Sequence, residues 1–79
     1  SLQNFSSYSE IYPNPTKNNI TIKTNSPKQI KIYNTLGKLI LSKEIDGIYF
    51  FDTSKLNRGL YLIELLDRNS IENHKLFLQ

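Results

Sequence analysis

Cysteine is absent from this 79-residue chain, which removes disulfide staples, thiolate zinc sites and thiol nucleophiles together and leaves the redox compartment open. Tryptophan and methionine are absent as well, and there is one histidine. That residue, His74, has no second His or Cys at metal-ligand spacing, so it reads as a surface or edge-strand residue and no metal is expected. Without methionine, the chain is expected to be processed or cut from a longer protein, as its C-terminal piece. No apolar run approaches the ~18 residues of a membrane helix, and Ser1-Leu2-Gln3-Asn4-Phe5 has neither the charged start nor the apolar middle of a signal peptide. Membrane insertion is not expected. Ser54 has no base beside it and no carboxylate pair is placed for acid and base roles, so neither an enzyme nor a cofactor is expected.

Acids are also missing from one half. Between Ile11 and Lys43 lie Lys17, Lys23, Lys28, Lys31, Lys38 and Lys43 with no Asp or Glu, and the acids from Glu44 to Glu72 follow. A basic half invites phosphate or an anionic saccharide. The alternation of Lys23 and Lys31 with isoleucines favours a plainer reading, a solvated outer sheet face whose lysines discourage edge pairing.

What is present is strand pattern. Ser1 to Glu10 shows no period and reads as a linker or tail. Tyr12-Pro13-Asn14-Pro15 follows, where two prolines fix an extended entry that Asn14 and Thr16 close as a turn. Ile20 and Ile22 alternate with polar residues, as do Ile30 and Ile32, with Lys31 and Tyr33 on the other face. Thr35-Leu36-Gly37 makes a short loop, and Lys38 to Ile45 returns as its hairpin partner, with Leu39, Ile40 and Leu41 leaving the buried face undecided. Asp46-Gly47 predicts a type I′ hairpin between Ile45 and Ile48. A strand over Ile48 to Asp52 leads to a capped turn at Asp52-Thr53-Ser54-Lys55 with Leu56 tucked beneath. Leu60 to Asp67 is apolar on both faces: Tyr61, Ile63 and Leu65 on one, Leu60, Leu62 and Leu66 on the other. Asp67 to Ser70 turns the chain into a last strand, Ile71 to Gln79.

About seven short strands with turn signals every eight to twelve residues and no helical period specify an all-β fold, a seven-stranded immunoglobulin-like β-sandwich. A small OB- or SH3-type barrel is the alternative, which seven strands in so short a chain fit less well. One domain is the ceiling at this length, burying about 60% of the unfolded surface.

Four segments carry a further signal: Tyr12-Pro13-Asn14-Pro15 with Ile20; Ile32 to Lys38, including Gly37; Leu56-Asn57-Arg58-Gly59-Leu60-Tyr61; and Lys75-Leu76-Phe77-Leu78. In this order and spacing, residues 11–79 closely resemble the type A C-terminal sorting domain of the type IX (Por) secretion system. The resemblance implies a non-catalytic immunoglobulin-like domain with an N-terminal cargo domain in the same chain. It implies recognition by the type IX translocon and its shuttle proteins after export through the periplasm of a Gram-negative bacterium. It further implies removal by a sortase-like cysteine peptidase, leaving cargo at the cell surface, often on an anionic lipopolysaccharide, or released. Carried over, the recognition motifs are Pro13, Asn14 and Pro15, then Gly37, Gly59 and Tyr61, then Lys75, Leu76, Phe77 and Leu78, with cleavage in or before Ser1 to Glu10.

The residues also suggest where a partner would sit. A sandwich strand has one buried face, so Leu60, Leu62 and Leu66 are expected to form an outer patch that, with the last strand, contacts the translocon. Two rival classes are weighed. A carbohydrate-binding or adhesion module is disfavoured by the missing Trp and the lack of an acidic calcium cluster. A nucleic-acid binder would need Tyr33, Tyr49 and the lysines on one continuous face, and none is expected. A monomer is expected, with edge-strand self-association as the alternative.

Overall fold

The computed structural model describes residues 9–13 and 16–79. Seven strands follow in order: β1 (Ser9–Tyr12), β2 (Asn19–Thr24), β3 (Lys28–Asn34), β4 (Leu39–Ile45), β5 (Ile48–Asp52), β6 (Gly59–Leu66) and β7 (Ile71–Leu78). They form two antiparallel sheets, a three-stranded one ordered β1-β2-β5 and a four-stranded one ordered β4-β3-β6-β7. This is a β-sandwich of the expected class, with the fourth strand beside the third, whereas a constant-type immunoglobulin domain places it beside the fifth. The expected start of the domain at Ile11 lies two residues inside β1.

Period-two alternation makes the core. Ile20 and Ile22 from β2 face Ile30 and Ile32 from β3, Tyr61, Ile63 and Leu65 from β6, and Leu76 and Leu78 from β7. The consecutive Leu39, Ile40 and Leu41 resolve as a bulge: Ile32 pairs with Leu41 and Tyr33 with Leu39, so Ile40 is the extra residue. The bulge lets both Ile40 and Leu41 pack against the core from an edge strand.

The Asp46-Gly47 hairpin is not formed. β4 and β5 lie at edges of different sheets, and the dipeptide is the corner by which the chain changes layers. Gly47 does use its positive φ of 94°, and the end of β2 holds the corner. Gly47 N donates to Thr24 Oγ1 at 3.1 Å, while Thr24 N donates to Gly47 O at 2.7 Å. The physical reason is burial. Pairing β4 with β5 would join all seven strands into one sheet with an uncovered apolar face, whereas a break there lets the two isoleucine-lined faces stack. Lys43 of β4 then lies over the Tyr49 ring of β5, 5.4 Å from its centroid, across the open side of the sandwich.

Candidate functional site

Register brings the sequence motifs to one end of the molecule. Gly59 opens β6 opposite Leu78, and Leu60 pairs with Phe77, Tyr61 with Leu76 and Leu62 with Lys75. Asn34 pairs with Tyr61, so the β3–β4 hairpin and Gly37 share this end. Pro13, exposed after a cis Tyr12–Pro13 bond, ends β1 here. Thr16 joins the terminal strand in a parallel bridge to Leu78. Asn14 and Pro15 lie outside the described residues.

Each motif is built locally. The Asn34 side-chain oxygen accepts from Leu36 N at 2.9 Å and Lys38 N at 3.0 Å, leaving Gly37 the residue at φ 85°. Tyr61 is buried in the core and its hydroxyl donates to Asn57 O at 2.6 Å, a tyrosine corner bracing the loop that enters β6. Arg58, unremarked in the sequence beyond its place in that motif, holds the end together. Its guanidinium donates to the carbonyls of Lys17, of Thr53 at 2.5 Å, of Leu56 at 2.8 Å and of Gln79 at 3.2 Å. A planar fork of five donors suits four carbonyls from three separate segments, where an ammonium would not. No spacing rule could have found it, because two of its partners, the carbonyls of Lys17 and Gln79, are backbone groups far away in sequence.

The terminal motif divides by parity. Leu76 and Leu78 point into the core, while Lys75 and Phe77 point outward. Two of the three leucines expected in the outer patch are exposed and lie beside Phe77: Leu60 is 39%, Leu62 42% and Phe77 49% exposed. Tyr33 and Leu39 continue the Leu62 row across β3 and β4. Leu66, at the far end of β6, is half-buried and faces the exposed Ile71. Tyr33 donates to Glu64 at 3.3 Å; desolvation and that carboxylate hold its phenol above the usual value. Tyr49, by contrast, packs toward the core from the other sheet and stacks near Phe51, so the two tyrosines share no face.

The opposite end carries a different device. Lys28, on the inward parity of Ile30 and Ile32, has a fully buried side chain whose Nζ lies 3.0 Å from Asp67 and 3.3 Å from Glu72. Ser9 and His74 also meet Glu72. The reading of Lys23 and Lys31 as a solvated face fits exposed Lys23 and half-exposed Lys31; it does not extend to Lys28. The alternation itself was the signal, since an inward lysine requires acids.

Comparison with known proteins decides the family. The model of the secretion system C-terminal sorting domain matches residues 10–79. This chain belongs to that family. An endo-acting ulvan lyase of Formosa agariphila is 35% identical over 69 residues, covering 82% of this chain and 13% of the lyase. The chain thus spans about an eighth of that relative. A sorting domain of the type IX system is a non-catalytic signal, and membership implies export to the cell surface or extracellular space.

Proposed function

We propose that this sorting domain carries an N-terminal cargo through the type IX outer-membrane translocon, and that the motif-bearing end is the surface its shuttle and translocon proteins read. The observation that carries the reading is the convergence of the motifs at one end, beside an outward strip of Leu60, Leu62, Lys75 and Phe77. Buried motif residues, Tyr61, Leu76 and Leu78, hold the strip in place; Gly37, Gly59 and Pro13 shape the loops around it. The lyase match, a small share of a much larger protein, supports a tail appended to cargo. The residues ahead of β1 then serve as the linker in or before which a sortase-like peptidase cuts, in a Gram-negative cell, leaving cargo anchored or free.

The test is surface delivery of an exported fluorescent reporter ending in residues 1–79, in cells with and without a working translocon. Delivery that requires the translocon and falls in Leu62→Asp and Phe77→Asp, both confirmed folded as purified domains, is expected. An intact wild-type fusion retained in the periplasm of translocon-competent cells overturns the proposal.

A further inference from the structure

The outer face of the three-stranded sheet takes no part in the strip just described. Its rows follow from register: Tyr12, Thr21 and Phe50 lie abreast, with Glu10, Lys23 and Ile48 in the next row and Asn19 beside Asp52 beyond. Phe50 is 73% exposed and Tyr12 46%. Beside Phe50 runs a shallow groove lined by Asn18, Asn19, Thr21, Asp52 and Ser54.

Two aromatic residues therefore stand two strand spacings apart, about 10 Å, close to the length of one disaccharide unit in an extended polysaccharide. Between and beside them are hydroxyl, amide and carboxylate groups. Sugars present an apolar C–H face to a ring and a rim of hydroxyls to polar side chains, which is this arrangement in complement. Charge narrows the class. Glu10 faces Lys23 in register and Lys55 acts on Asp52, so the charges on and beside these rows balance and the face lacks the positive excess that a sulfated glycan or nucleic acid requires. The Ser54 backbone N–H, which donates to Asp52, holds that carboxyl below its usual value. It remains a hydroxyl acceptor.

We propose that this face binds a neutral extended polysaccharide, with Phe50 and Tyr12 stacking on alternate sugar rings and Asn19, Thr21 and Asp52 bonding the hydroxyls of the intervening sugar. The proposal is independent of sorting, because it uses the opposite sheet. The test is NMR titration of residues 1–79 with cellohexaose, xylohexaose, mannohexaose and laminarihexaose, and with a sulfated carrageenan oligosaccharide for comparison. At least one neutral hexaose should shift β1, β2 and β5 amides with a Kd of about 1 mM or tighter, and Phe50→Ala should weaken it about tenfold. Unmoved Leu76 and Leu78 signals report that the variant is folded. No shift with any neutral hexaose at about 10 mM, preference for the sulfated ligand, or equal binding by folded Phe50→Ala would each overturn it.

Discussion

Thr16 and Leu78 form a parallel bridge that ties the segment after the prolines to the end of the chain: Thr16 N donates to Phe77 O at 3.0 Å and Gln79 N to Thr16 O at 2.8 Å. Thr16, which follows the first sequence motif, and the last motif are thus one structural unit. Deleting the terminal motif removes two core leucines along with two surface residues, so loss of sorting in such a deletion would report unfolding as readily as lost recognition.

Point substitutions separate the two. Leu76→Ala and Leu78→Ala, both fully buried, should each cost about 2–5 kcal/mol. Lys75→Ala and Phe77→Ala, facing outward, should stay within about 1 kcal/mol of the parent. Urea denaturation of the four variants checks the split, and equal losses at all four would refute it.

Arg58 bonds four carbonyls contributed by the loop before β2, the turn after β5 and the chain end. Arg58→Lys keeps the charge and loses the fork, so it should destabilise by about 1–3 kcal/mol. Amide exchange at this end should accelerate more than around Lys28. Stability equal to the parent would mean that charge alone suffices there.

Asp52 offers a pH prediction. Its folded pKa is depressed, chiefly by the backbone N–H of Ser54, so its stabilisation is fully present above the unfolded value of about 3.9 and disappears as pH falls through the folded value. The Ser54 amide shift should titrate with a midpoint below that of an unstructured aspartate. A midpoint at or above it would show that the bond does not form in solution.

Strands β2 to β7, their parity and the outward placement of Leu60 and Leu62 were legible because one face of each strand is buried and the period is two, whereas β1 lies where the sequence reads as linker and proline entry. The Asp46-Gly47 corner was not, since a positive φ at Gly47 serves a hairpin and a layer change equally and only tertiary pairing chooses between them. Nothing lies within 4 Å of a Cβ placed on Gly47, so Gly47→Ala meets strain and no clash. It should cost about 1–2 kcal/mol, read by thermal denaturation, with an unchanged fold. An unaltered melting temperature would show that the corner relaxes.

Lys28 shows where alternation was right and its chemical consequence was overlooked. The ammonium is wholly buried, whereas Asp67 and Glu72 keep 19% and 23% of their side chains exposed. The two ways of breaking the cluster should therefore be unequal. Asp67→Asn with Glu72→Gln leaves a cation in the interior without its carboxylates and should cost at least about 3 kcal/mol. Lys28→Met removes the buried charge, fills most of its volume and leaves two carboxylates that still reach water, so its cost should be smaller, about 1–2 kcal/mol. Urea unfolding of the two variants at neutral pH tests the ordering. If Lys28→Met proves the more damaging, the carboxylates depend on the lysine more than it depends on them, and the cluster acts by neutralising acids at the β6–β7 turn.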